Sequence, residues 1–518
     1  MTLTQILTTI FVILFFSVML GVGIMCRKHG SSVDSFVLGG RSVGPWLTAF
    51  AFGTSYFSAV IFVGYAGQFG WNFGLASTWI GLGNAFIGSL LAWNVLGRRT
   101  RVMTQHIDSR TMPDFFEKRY GSSALKIAAS VIVFIFLIPY TASLYNGLSS
   151  LFGIAFDVPY WACILVMAVL TGVYVIFGGY MATAINDFVQ GIIMLVGIAA
   201  VVVAVLNQNG GLMGSVEALA TRGGWEYTSF FGPDPVSLLM VVLLTSLGTW
   251  GLPQMVGKFY AIKGESMIQK GTLISTVFAF IVAGGCYFLG GFGRLFVTES
   301  EMRGFDSIIP TMISGLAPVI VAVVIVLVLS ASKSTLSSLV LTSASTLTLD
   351  IIVPAAKGKL TEGKKLVVMR LLIVFFIALS AAIAILKDTV WSGVVFIAQM
   401  MGVSWGALAG AFLAPFLYGL YWKKATRPAV WASFVFGVGL MLTQLVLSMS
   451  GASLGGVLGF VFKNSLYSGV FAMLGGLLIV PVVSWLTRKQ TPDGVDEIFN
   501  CYNEQVTVPA SVALEKES

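Results

Sequence analysis

Thirteen apolar runs divide this chain, at roughly 5–26, 43–68, 73–96, 124–153, 159–177, 185–206, 235–257, 271–296, 314–350, 369–386, 392–421, 428–449 and 466–486. A helix rises about 1.5 Å per residue, so ~20 apolar residues cross the ~30 Å hydrocarbon core of a bilayer. Inside that core every backbone N–H and C=O must find a partner, which helices do within one segment. The chain is 57% hydrophobic and only 10% charged, too apolar for a soluble protein of 518 residues. The fold class is therefore all-α and polytopic. The run 314–350 exceeds one perpendicular span and must tilt or project beyond the bilayer. No basic region precedes Ile6–Met25, so that run reads as a span and not as a cleaved signal.

The net charge of +8 points to topology, not to nucleic acid. With the N-terminus outside, 24 of the 30 Lys and Arg fall in cytoplasmic segments (Lys258 counted among them) and 5 fall outside, with Lys333 inside a span. Basic residues concentrate on the cytoplasmic side of membrane proteins. The segment 207–234 then reads as an outer Gly-rich loop, and Thr111-Met-Pro-Asp114 as the start of a short cytoplasmic helix. The polar tail after Arg488 is expected in the cytoplasm.

Enzyme chemistry finds no footing. The four cysteines (Cys26, Cys163, Cys286 and Cys501) are scattered and the histidines number two, so neither a disulfide frame nor a Cys/His metal site is spaced out. No H-E-x-x-H and no P-loop occurs, which also argues against transport driven directly by ATP.

Polar residues inside the apolar runs carry the functional reading. Asp187 lies in Val175-Ile-Phe-Gly-Gly-Tyr-Met-Ala-Thr-Ala-Ile-Asn-Asp-Phe-Val-Gln-Gly191, and Ser330-Ala-Ser-Lys-Ser-Thr-Leu-Ser-Ser338 concentrates hydroxyls in another run. An intramembrane carboxylate is costly and faces a partner, a cavity or an ion. Residues 331, 334, 335 and 338 share one helical face, being three and four apart. Carboxylate and hydroxyl oxygens are hard donors that suit a small alkali cation. Taken singly, Asp187 serves a structural ion pair equally well, and the hydroxyls serve close helix packing. Two runs look broken, the second around Gly53 and the seventh at Gly248, Gly251 and Pro253. Proline removes a backbone donor, and paired interruptions in two halves of a chain mark a transporter's midplane site.

These stretches, with Gly39-Gly-Arg-Ser-Val-Gly-Pro45 and Leu252-Pro-Gln-Met-Val-Gly-Lys-Phe259, resemble the sodium:solute symporter family, which includes the sodium/proline, pantothenate, sialic acid and sodium/glucose symporters. The resemblance covers nearly the whole chain. It implies a LeuT-like core of two inverted five-helix repeats. The division is then 1–42 (extra helix and loop), 43–206 (first repeat), 207–234 (outer loop), 235–421 (second repeat), 422–487 (two further helices) and 488–518 (tail). It also implies a main sodium site at Thr54 and Phe57 (backbone), Ala331, Ser334 and Thr335. Some members have a second site, matching Asp187, Ser334 and Ser338. The spans that line the family's solute pocket hold Ser55, Tyr56, Tyr140, Thr141, Trp250, Gln254, Gln399 and Trp405. Each of these serves packing as readily as ligand contact, Gln254 beside Pro253 being the strongest candidate.

Lys333 departs from the expected pattern. An ammonium at the sodium site would replace the ion and make the carrier proton-coupled or sodium-independent. At ~100° per residue, however, Lys333 points about 150–160° away from the 331/334/335/338 face. The expected activity is thus sodium-driven import of a small polar organic solute: an amino acid, a monocarboxylate or a vitamin-like acid. Sodium is the coupling ion, no organic cofactor is expected, and the carrier is expected to act as a monomer in the bacterial inner membrane. A solute sensor on the same scaffold and a channel are the rival classes. Asp350 and Arg370 read as charges that stabilise the cytoplasmic boundary.

Overall fold

The computed structural model describes residues 2–156, 159–300, 302, 304–390 and 397–503. Among these the chain is helical, with one isolated parallel bridge, Val43 to Ile262. Ten helices are long and apolar enough to cross a membrane, and the bent pair Pro235–Gly251 and Pro253–Ala261 adds an eleventh. The other two expected runs form no single long helix. The run 43–68 is interrupted at Phe57 and Ser58, and 159–177 is the first part of a longer stretch, Tyr160–Asn207, that turns at Gly179.

That turn shows what the Gly178-Gly179 pair is for. Gly179 has φ 54°, and a Cβ there would lie 2.8 Å from the carbonyl oxygen of Phe36. Both the left-handed backbone and the close approach require glycine. A similar constraint closes another crossing, where a Cβ on Gly70 would sit 2.0 Å from the Gly290 carbonyl oxygen.

The helix Pro318–Thr346 runs through the centre of the molecule and is buried from Ala331 to Leu341. Around it pack Leu3–Met25, the broken helix Pro45–Tyr56, Ser123–Phe156 and Tyr160–Asn207. Ile397–Tyr421 packs with Arg427–Ser450 and Ser465–Leu486, and also reaches the Gly248–Gly251 turn. The short helix Met112–Tyr120 begins as expected, with the Thr111 side chain accepting from the Asp114 N–H. Its far end clamps Ile397–Tyr421. Buried Arg119 donates to the Gly419 and Trp422 carbonyls at 2.9 Å, and Tyr120 Oη donates to Pro415 O at 2.7 Å. A cation there satisfies the orphan carbonyls of a helix end.

The segment 207–234 is more ordered than a loop. Gly210 and Gly211, both at positive φ, reverse the chain, and Gly211–Gly223 is a helix. Its buried Ser215 and Leu219 are four apart and so share one face.

Candidate cation and solute site

The first broken helix ends at Tyr56, Phe57 is extended (φ −94°, ψ 127°), and helical backbone resumes at Ala59. The break therefore falls four residues beyond the expected position near Gly53. Gly53 stays helical, its carbonyl accepting from Phe57 N at 3.2 Å. What Gly53 supplies is room, because a Cβ there would lie 2.4 Å from the Phe278 ring.

A helix end strips its last carbonyls of their partners. Here those carbonyls face the hydroxyl-rich helix. Ser334 Oγ lies 2.9 Å from Thr54 O and 3.0 Å from Ala331 O. Thr335 Oγ1 lies 3.3 Å from Phe57 O, 3.4 Å from both Thr54 O and Ser55 O, and 3.1 Å from Ala331 O. Each hydroxyl carries one proton. Two protons thus meet four carbonyl oxygens, all on buried residues. The surplus of oxygen lone pairs is what a hard cation takes in place of its hydration shell. The five residues expected for the main sodium site, Thr54, Phe57, Ala331, Ser334 and Thr335, are brought together.

The second expected position differs. Asp187 is fully buried, and its carboxylate faces Lys258, with Nζ 3.7 Å from Oδ2. Lys258 Nζ also donates to Ser338 Oγ at 3.0 Å, and Ser338 Oγ is 2.8 Å from Ser55 Oγ. An ammonium thus stands between Asp187 and Ser338, while Ser334 turns to Thr54. Lys258 belongs with this cluster and not with the loop charges, because the helix Pro253–Ala261 carries it inward and leaves it 3% exposed. The sequence held the signal: Phe259-Tyr-Ala-Ile262 continues the apolar run past the lysine.

Lys333 is not the cation at the main site. Its ammonium donates to Met167 O at 2.9 Å and to Thr171 Oγ1, and lies 5.3 Å from the Phe16 ring centre. That is the opposite face of its helix, as the angular argument requires.

The expected solute residues separate into groups. Tyr56 and Tyr140 both lie with ring centres 6.0 Å from Trp405, forming an aromatic cluster beside the first break. Tyr56 Oη donates to Thr245 O at 2.8 Å and so ties the two broken helices together. Trp250 Nε1 donates to Ile87 O at 3.1 Å. Gln254 is buried, its Oε1 has no hydrogen-bond partner among the described residues, and it lines a narrow cleft with Arg110, Tyr180, Lys258 and Ser338. Ser55 is engaged with Ser338, and Thr141 Oγ1 with the backbone of its own helix. Gln399 is not brought to this cluster. It lines a separate cavity with Gln444, Lys463 and Asn464. Asp350 accepts from Thr111 Oγ1 at 2.7 Å and Arg370 donates to Ile176 O at 3.1 Å, so both secure helix ends.

A profile of the sodium:solute symporter family matches residues 36–437. The chain belongs to the sodium:solute symporter family. It is accordingly a multi-pass membrane transporter, not an enzyme, and its activity is sodium-driven symport of a small organic solute. Among its relatives are the sodium/proline symporter 2 of Staphylococcus saprophyticus, 28% identical over 496 residues, and the sodium/proline symporter of Staphylococcus aureus, 28% identical over 493 residues. Each alignment covers 93% of both chains. In structure the chain is similar to a sodium-coupled sialic acid symporter in a substrate-bound outward-open state. The TM-score is 0.74 at 14% identity, over 93% of this chain and 98% of that one. It is also similar to Mhp1, a nucleobase-cation-symport-1 family transporter (TM-score 0.52, 13% identity, 90% and 98% covered). These likenesses fix a LeuT-like fold.

Proposed function

We propose that this symporter binds its coupling sodium between the first break and the hydroxyl-rich helix, at Thr54 O, Phe57 O, Ala331 O, Ser334 Oγ and Thr335 Oγ1. The observation that carries the reading is the excess of carbonyl oxygens over hydroxyl protons at that point. Both hydroxyls can rotate to present lone pairs to an ion. Sodium there ties Pro45–Tyr56 to Pro318–Thr346, and Tyr56 relays that tie to the second broken helix through Thr245. The solute then binds beside Tyr56, Tyr140 and Trp405, with Gln254 lining its path to the face that carries Arg110. When sodium leaves, the carbonyls fall back on the two hydroxyls and the tie weakens. One positive charge crossing ~100 mV contributes about 2.3 kcal/mol to accumulation.

The solute is a small polar molecule, an amino acid, a monocarboxylate or a vitamin-like acid, with L-proline the first to test because the relatives named above carry it. The carrier acts as a monomer in the bacterial plasma membrane, N-terminus outside and C-terminus inside, the arrangement its basic residues favour. Proteoliposomes loaded without sodium provide the test. Uptake of L-proline and a panel of such solutes is expected to follow an imposed sodium gradient and to ignore a proton gradient of equal size. Uptake of a solute indifferent to sodium overturns the reading.

A further inference from the structure

We propose that Lys258 is a tethered cation filling the position of a second sodium ion, so that this carrier binds one sodium per chain. The inference rests on the main sodium site proposed above. The central helix presents hydroxyls at two levels. At the upper level Ser334 and Thr335 face backbone carbonyls, and among the described residues no charged side chain is hydrogen-bonded to either hydroxyl, so a cation must come from solution. One turn further along, Ser338 already has one: Lys258 Nζ at 3.0 Å, with Asp187 Oδ2 3.7 Å from the same nitrogen.

The charges balance at this lower level. The side chains of Lys258 and Asp187 are 4% and 1% exposed, and among the described residues Asp187 is the one carboxylate within 4.0 Å of Lys258. A sodium ion added beside Asp187 would put two cations on one buried carboxylate, with little water to screen them. Holding both would leave one positive charge uncompensated in a buried site, which is costly. The Tyr180 ring, centred 5.2 Å from Nζ, adds a further attraction for the ammonium. The other buried lysine of this region, Lys333, is turned to Met167 O and plays no part.

The placement also explains why a lysine is useful there. It sits on Pro253–Ala261, the inner half of the second broken helix. Sodium joins the first broken helix to the hydroxyl-rich helix, and Lys258 joins the second broken helix to the same helix. One tie is exchangeable and one is covalently retained. The cycle then has a single ion to bind and release.

The test is equilibrium binding of radioactive sodium to the purified full-length chain at saturation. One ion per chain is expected for the wild type and for Lys258→Arg. Lys258→Met leaves Asp187 without its partner and is expected to bind two. Adding Asp187→Asn to Lys258→Met is expected to return the count to one. Two ions on the wild type, or one on a monodisperse Lys258→Met protein, overturns the inference and leaves the main site standing. If Lys258→Met fails to fold, the wild-type count still decides. A wild type that binds no sodium removes the main site and this inference together.

Discussion

Thr335→Val removes one hydroxyl and keeps the shape of the side chain, so it isolates the chemistry of the main site. Thr335 Oγ1 is within 3.1–3.4 Å of four carbonyl oxygens. If its contact with sodium resembles a hydrogen bond to a charged group, its loss costs about 1.5–3 kcal/mol. That corresponds to a sodium affinity weaker by about 10- to 150-fold. The same loss is visible without transport. At a sodium concentration 100 times its dissociation constant, the ion stabilises the wild type by about 2.7 kcal/mol. A tenfold weaker site leaves about 1.4 kcal/mol, and a hundredfold weaker one about 0.4 kcal/mol. The assay is thermal unfolding of purified protein across a sodium titration, with potassium as the ionic-strength control. The sodium-dependent rise in unfolding temperature is expected to move to much higher concentration in Thr335→Val. A variant that folds and keeps the wild-type sodium titration would refute the placement of the ion.

Lys333→Met is expected to leave the sodium concentration for half-maximal uptake within about twofold of wild type, because the ammonium addresses Met167 and not the ion; loss of sodium dependence in uptake assays would contradict this. Asp187→Asn strands a buried ammonium and is expected to cost about 3–5 kcal/mol, whereas Asp187→Asn with Lys258→Met costs less than the sum of the single changes; apparent unfolding temperatures around the cycle measure this coupling. Gly70→Ala drives a methyl group into the Gly290 backbone and is expected to abolish the monodisperse species in size-exclusion chromatography, since backbone cannot yield as a side-chain tip can. Tyr56→Phe keeps the ring against Trp405 but cuts the link to Thr245. It is expected to cost about 0.5–1.5 kcal/mol in stability and to lower uptake more than sodium affinity, which parallel unfolding and transport measurements separate.

Much of this architecture was legible in order along the chain. Apolar length marks which segments can lie in the bilayer, since a helix satisfies its own backbone there. The spacing of Ala331, Ser334, Thr335 and Ser338 fixes one face of a helix, and the same rotation turns Lys333 away. Pro253 and its neighbouring glycines announce the second break, because a missing backbone donor beside two flexible glycines weakens the helix at one point.

What lies across the helices was decided only by tertiary structure. The sequence could mark Asp187 as costly but could not say whether sodium or an ammonium neutralises it, because Lys258 is 71 positions away and its reach depends on how Pro253–Ala261 is aimed. Nor could it place the first break. Nothing in Thr54-Ser-Tyr-Phe-Ser58 forbids a helix; the chain opens at Phe57 where the hydroxyls of Ser334 and Thr335 take up the carbonyls that opening frees. Periodicity and backbone chemistry are local and are written in consecutive residues. Charge neutralisation and carbonyl rescue are contacts between distant segments, and they exist only once the helices have packed.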